Sequence, residues 1–291
     1  MDKANPLLIA SPFARGIIQT TTSKILGGPL HKPAKLFAFA LMGLAFLTAR
    51  TVAQEQNETD PAKALSLVQA AAKARGGDTY LKIRTLTGRG QYTPYDKGVS
   101  GNPQSFVDYI AHPGRERTEF GKGDEKFIQS NADMANWVYE AKQKMIREQT
   151  EDQVKRFQQN SRYDLDNLLR AAAAQAGVKL IYLGRREPWR STFSEAVRVD
   201  YSDGGSATLH FDPRTHLPLS IEYKLLTAEG AVNNEARYYR WVEYDGVQFP
   251  TIQDFYREGK QTARVTYDLV TFNTPLPDKL FAKPANVKEV K

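Results

Sequence analysis

Apolar and polar residues alternate strictly over segment after segment of the last third of the chain, and this limits the folds open to it. Val197, Val199 and Tyr201 interleave with Arg198 and Asp200, and Ala207, Leu209 and Phe211 interleave with Thr208 and His210. Ile221, Tyr223 and Leu225 repeat the pattern against Glu222 and Lys224, as do Ala263, Val265, Tyr267 and Leu269 against Arg264, Thr266 and Asp268. Side chains of a strand point to opposite faces in turn, so a period of two over many segments specifies one large antiparallel sheet with an apolar face. Turn chemistry punctuates the segments: Asp203-Gly204-Gly205, the proline-bearing run Asp212–Pro218, and Asp245-Gly246 before Phe249-Pro250. What covers the apolar face then decides what the protein does.

Two helices are available to cover it. Asp60-Pro61 supplies an N-cap and a first-turn proline for a helix running to about Arg75, stopped by Gly76-Gly77, with Leu65, Val68 and Ala72 on one face. A second helix is expected over Tyr163–Ala176, closed by Gly177, with Leu165, Leu168, Leu169, Ala172 and Ala173 forming an apolar stripe. The stretch Thr150–Asn160 before it is polar and charged. Between the helices lie strand candidates at Arg84–Tyr92, Ser105–Ala111, Arg115–Phe120, Lys126–Gln129, Asn136–Tyr139 and Met145–Glu148.

The amino-terminal part is of a different kind. Leu36–Ala49 is uninterrupted by charge, follows Lys32 and Lys35, and precedes the small-residue site Thr51-Val52-Ala53. At about 14 residues it is short of the ~20 needed to span a bilayer, and it reads as a cleavable export signal over about 36–53 behind a long leader, with an uncleaved membrane anchor as the alternative. Residues 54–291 read as a single domain. Residues 1–53 hold six Lys and Arg against one Asp, so the +7 of the whole chain falls to +2 beyond them. That balance does not favour a nucleic-acid surface. The chain has no cysteine, which excludes disulfides, thiol catalysis and thiolate metal sites.

Trp137-Val138-Tyr139, a return strand with Met145 and Ile146, the leucine-rich helix, the turns FDPRTHLP and YDGVQFP, and the closing Leu280-Phe281 follow one another in a recognisable order. In that order the chain resembles the LolA-like outer-membrane lipoprotein-sorting superfamily. The resemblance implies an α+β fold: a half-open antiparallel β-barrel, a strongly curved sheet with helices over its concave face. It also implies a periplasmic, non-enzymatic, monomeric carrier without cofactor. The expected ligand is a lipid or an acylated lipoprotein, with inner- and outer-membrane proteins as further partners. On this reading Trp137, Tyr139, Leu165, Leu168, Leu169, Val197, Val199, Leu209, Phe211, Ile221 and Tyr223 line the cavity. Ala111-His112-Pro113-Gly114-Arg115 matches the family's basic-residue-then-proline site, with His112 where an arginine is expected, and places His112 and Arg115 at the rim.

The residues themselves offer little catalytic chemistry. His210-x-Asp212-x-x-x-His216 has ligand-like spacing, but alternation sets His210 on a polar face and turn formation accounts for the other two, so no metal site is expected. Glu151-Asp152 and the pair Asp164 and Asp166 stand near expected helix starts, where the macrodipole favours negative charge. Gly88-Arg89-Gly90 lacks the rest of a dinucleotide fingerprint, and the serines lack a nucleophile elbow. Arg237-Tyr238-Tyr239-Arg240-Trp241 reads as cross-strand stacking. Two other functions remain in view: an envelope sensor or scaffold of the same fold binding a regulatory protein, and a hydrolase acting through His112, His210 or His216.

Overall fold

The structure is a computed structural model that describes residues 60–290 apart from 134, 228 and 229. The export signal expected within residues 1–53 lies outside the described residues.

Fourteen strands are present among the described residues. The first group comprises β1 (Thr85–Asp96), β2 (Val99–Ser100), β3 (Gln104–Ala111), β4 (Arg115–Phe120), β5 (Phe127–Asn131), β6 (Trp137–Glu140) and β7 (Met145–Glu148). The second comprises β8 (Val178–Trp189), β9 (Thr192–Tyr201), β10 (Ser206–Phe211), β11 (Pro218–Thr227), β12 (Gly230–Tyr244), β13 (Val247–Arg257) and β14 (Lys260–Phe272). Apart from β2, each group is a meander in which successive strands pair antiparallel. The two are joined where the last strand returns to the first, giving the order β7-β6-β5-β4-β3-β1-β14-β13-β12-β11-β10-β9-β8, with β2 a side pairing on β1.

Four helices accompany the sheet: α1 (Pro61–Ala74), α2 (Asp78–Leu81), α3 (Glu151–Arg162) and α4 (Leu165–Ala174). Asp60 caps α1 by accepting from the Lys63 amide at 2.9 Å. The helix ends at Gly76, whose φ of +122° suits glycine and where a Cβ would lie 2.4 Å from the Gly246 carbonyl oxygen. The end of α1 is thereby seated on the turn between β12 and β13, and the Gln248 amide donates to Arg75 O at 3.0 Å. The polar stretch expected as a connector is helix α3. Thr150 and Gln153 form a reciprocal capping box at its start, and that sequence signal outweighs the scarcity of apolar residues.

The half-open, strongly curved barrel does not form, although the α+β class does. The sheet is an open path ending in β7 and β8, which do not pair with each other among the described residues, and it is neither closed nor strongly curved. A barrel has an interior only when strand tilt and stagger bring the sheet back on itself. Here the apolar face is covered directly by α1 and α4. Helix side chains fill the space that the far wall of a barrel would otherwise bound. Val68, Ala71, Leu168, Leu169 and Ala172 from the helices and Val197, Val199, Leu209, Phe211 and Ile221 from the strands belong to one continuous buried cluster.

The register explains that continuity. Leu209 sits opposite both Val197 and Ile221, Ile221 opposite Ala236, Ala236 opposite Phe255, and Phe255 opposite Ala263, so one face runs unbroken across six strands. Gly88 and Gly90 of β1 belong to this face. The Tyr267 ring lies so close over Gly88 that a Cβ there would meet it at 2.5 Å, and the Tyr267 hydroxyl donates to Asp108 at 2.9 Å. The paired glycines are there for close approach.

Candidate functional site

The sequence-derived residues fall into three places. Leu165, Leu168 and Leu169 of α4 lie against the face carrying Val197, Val199, Leu209, Phe211 and Ile221, all within the buried cluster. Tyr223, half-buried, extends this group and stacks on Tyr163, between α3 and α4, with ring centres 4.6 Å apart. Trp137 and Tyr139 lie on the opposite face of the sheet. Gln129 is opposite Val138 and Ser130 opposite Trp137, so Val138 shares the helix-covered face while Trp137 turns away. There the carboxy-terminal segment covers it: the Trp137 indole donates to Phe281 O at 2.8 Å, Ser130 to the same oxygen at 3.1 Å, and Arg117 to Leu280 O at 2.7 Å. Arg115 stands over the Phe281 ring at 4.4 Å and pairs with Asp278 at 2.9 Å.

His112 has a separate setting, in a buried polar cluster at the junction of α1, α4 and the sheet. Arg75, the C-cap of α1, is the centre of it. Its guanidinium is bonded to Asp166, donates through Nε to Gln248 O at 3.3 Å, and lies 4.2 Å from the Tyr80 ring centre and 5.5 Å from that of Trp241. Asp164 caps α4, accepting from the amides of Asp166 at 3.1 Å and Asn167 at 3.4 Å. Arg170, one turn on, donates to Ile83 O at 2.5 Å and Tyr80 O at 3.1 Å, fastening α4 to the segment before β1.

The amide of Asn167 fixes the histidine tautomer. Its Nδ2 donates to Pro113 O and Ser161 O, each at 2.8 Å, so its Oδ1, 3.2 Å from His112 Nδ1, is the acceptor and Nδ1 carries the proton. The other ring nitrogen, Nε2, has no hydrogen-bond partner and faces Asp166 Oδ2 at 3.8 Å. Burial pulls the His112 imidazole below the usual histidine range, against the opposing charge of Asp166. The two aspartates are driven apart. Burial and the charge of Asp166 push Asp164 up to about 7. Burial also acts to raise Asp166, but the charges of Arg75, His112 and Arg170 overcome it and hold that carboxyl at about 2.

Two recesses open at this cluster, sharing Ile110, His112 and Asp164 as walls. The outer one, about 20 Å³ and so room for a single water molecule, adds Arg115, Glu116, Phe157 and Asn167. The inner one, also about 20 Å³, is walled by Leu86, Leu165, Phe249 and Tyr267 together with Arg75, Asp166 and Gln253. Its apolar walls Leu86, Leu165, Phe249 and Tyr267 belong to the buried cluster. As they stand, the recesses hold water and nothing larger, so a larger ligand enters only if α4 moves off the sheet, and the buried aspartates serve structure.

Arg75, Asp166 and Asn167 were missed by sequence reasoning, and a signal for the first two existed. Arg75 continues the stripe of Val68, Ala71 and Ala72 at helical spacing, and Asp166 stands three residues before Leu169, so each is a charge set on an apolar face. Such a charge must find a partner. His210, expected on a polar face, is buried, 2.9 Å from Ser194 Oγ and 3.4 Å from Glu222. Among the described residues no group of three or more His, Cys, Asp or Glu is gathered to hold a metal ion. Arg237 stacks on Tyr256 at 4.1 Å and Trp189 at 4.7 Å. A left-handed Arg240, φ +51°, lets Trp241 as well as Tyr238 pack with the core. No helix among the described residues is long and apolar enough to cross a membrane.

No protein-family model matches the chain, and no curated protein matches it. Solved structures match at low sequence identity, among them ones described as LolA-like or lipoprotein-sorting. A DUF1329 family protein from Desulfovibrio piger superposes with a TM-score of 0.51 at 14% identity, covering 77% of this chain and 98% of that one. A domain from Vibrio parahaemolyticus assigned to outer membrane lipoprotein sorting gives 0.48 at 10% identity, covering 76% and 97%. A LolA superfamily protein from Nitrosomonas europaea gives 0.48 at 12% identity, again covering 76% and 97%. The likeness to the first of these is one of fold alone.

Proposed function

We propose that the chain is a periplasmic, non-enzymatic binding protein that holds a lipid or a lipid-modified protein by its acyl chains. The observation that carries the reading is the two-recess crevice at His112, whose inner walls Leu86, Leu165 and Phe249 continue into the helix-covered face of the sheet. Acyl chains enter beneath α4 and replace helix-to-sheet contacts with their own. The apolar side chains of α4, β9, β10 and β11 form the contact surface, while His112 and Arg115 stand at its mouth. Burial of each methylene contributes about 0.8 kcal/mol, so about ten supply the roughly 8 kcal/mol of micromolar binding without any specific hydrogen bond.

The test is mass spectrometry of an organic extract from the full chain purified from cell envelopes without detergent. The reading expects a stoichiometric lipid or acylated peptide. Protein that carries none, and takes up none when offered envelope lipids, overturns it.

A further inference from the structure

On the outer face of the sheet the carboxy-terminal segment crosses four strands as a strap. Asp278 pairs with Arg115 of β4, and Lys283 with Glu148 of β7. Between them Leu280 O accepts from Arg117 of β4, and Phe281 O from Ser130 of β5 and Trp137 of β6. The strap does not join the sheet as a strand would. The main-chain hydrogen bonds of residues 277–290 run to one another, and the strands reach the segment through side chains. Phe281 is 1% exposed, whereas Lys279 and Ala282 on either side of it are exposed. One aromatic anchor in a pocket, with main-chain carbonyls held by donors around it, is how a peptide sits in the groove of another protein.

The groove is braced from the sheet side. Glu119 holds Arg117 at 2.6 Å and Lys126 at 3.1 Å, while Gln149 donates to Ser130 O at 2.8 Å and Trp137 O at 3.4 Å, tying β5 to β6. The strap leaves part of the groove's chemistry unmet. The Arg117 side chain is 8% exposed, and its Nε, like that of Arg115, is buried without a hydrogen-bond partner. The strap brings Arg117 a neutral carbonyl. Buried guanidinium donors call for a further acceptor, and a carboxylate answers them better than an amide does.

We propose that this groove docks an extended segment of a partner protein, one that carries an aromatic residue beside a carboxylate, and that the strap occupies the groove in the free chain as a competitor. The aromatic side chain takes the place of Phe281 under Arg115, and the carboxylate meets Arg117. The proposal goes beyond the lipid-binding reading and does not rest on it.

Fluorescence anisotropy of the full chain tests this with three labelled peptides: residues 276–285 of the chain, the same peptide with Leu280→Glu, and the Leu280→Glu peptide with Phe281→Ala as well. Phe281→Ala in the chain itself removes the anchor of the strap and frees the groove, with circular dichroism reporting the fold. The freed chain should bind the glutamate peptide at least about tenfold tighter than the native chain does, and at least about tenfold tighter than it binds either other peptide. Adding Arg117→Gln to the freed chain should bring the glutamate peptide down to the level of the tail peptide. A folded freed chain that binds no peptide, equal binding by native and freed chains, or indifference to the loss of the aromatic residue overturns the groove. Equal affinity for the tail and glutamate peptides, or a preference that survives Arg117→Gln, overturns the carboxylate-bearing partner and leaves the groove to a strap, the chain's own or that of a second copy. Where Phe281→Ala does not fold, hydrogen exchange of the native chain decides: saturating glutamate peptide should speed exchange across residues 277–283, and exchange unchanged by the peptide overturns the proposal.

Discussion

Replacing Arg75 by methionine removes the cation at the junction of helices and sheet while keeping a side chain of similar length. In the native protein this side chain is 1% exposed and bonded to Asp166, itself 12% exposed. The variant leaves the Asp166 carboxylate buried beside the His112 imidazole, 3.8 Å away, with Arg170 as its remaining cationic neighbour. Removing one partner of a buried pair costs about 3–5 kcal/mol, because the surviving charge stays desolvated. At about 2–4 °C per kcal/mol for a domain of this size, the midpoint of thermal unfolding should fall by about 6–20 °C. Urea unfolding followed by tryptophan fluorescence measures the free energy directly. The double variant Arg75→Met/Asp166→Asn should recover a large part of the loss, since the orphaned charge is gone. The single variant should also lose less at pH 5.5 than at pH 8, as His112 gains a proton beside the unpaired carboxylate. A cost below about 1 kcal/mol, or no recovery in the double variant, would refute the claim that this pair holds α1 and α4 together.

Asp164→Asn should alter how stability depends on pH. The folded carboxyl titrates near 7 against an ordinary 3.8, so between those values the folded state holds a proton the unfolded state has lost, and stability falls as pH rises. The variant should therefore gain on the native protein from pH 4 to pH 7, by at most about 1.4 kcal/mol per pH unit in urea titrations, with a constant difference above that range; parallel curves across it contradict the assignment. Phe281→Ala should cost about 3–5 kcal/mol and red-shift tryptophan emission, because Phe281 is 1% exposed and its segment covers the Trp137 indole; unchanged emission contradicts that placement.

Much of the strand pattern was legible because alternation survives wherever one face is buried and the other wet, as in β9, β10 and β11. It failed on β5 and β6. Every residue of Phe127–Asn131 is buried, since helices and sheet neighbours cover one side and the tail through Phe281 covers the other. With both faces covered, no periodicity tells which way Trp137 points. The curvature of the sheet was not legible either, because alternation fixes faces and says nothing of how far a sheet bends. For the site, the rim residue His112 was found, but its partners were not. Asn167 is 55 residues away and Arg75 stands 91 residues from Asp166, so only folding brings them together. Asp164 and Asp166 do serve the start of α4 as expected, yet the charge continuing the apolar stripe of α1 was the clue to the cluster.

Burial of hydrocarbon at the crevice is the central claim, and a chain-length series tests it most directly. Binding of single-headgroup phospholipids with acyl chains from four to eight carbons, measured by calorimetry below the micelle concentration, should tighten by about fourfold per methylene buried, the ~0.8 kcal/mol of each. Affinity that does not change with chain length would contradict acyl burial, whatever the headgroup contributes.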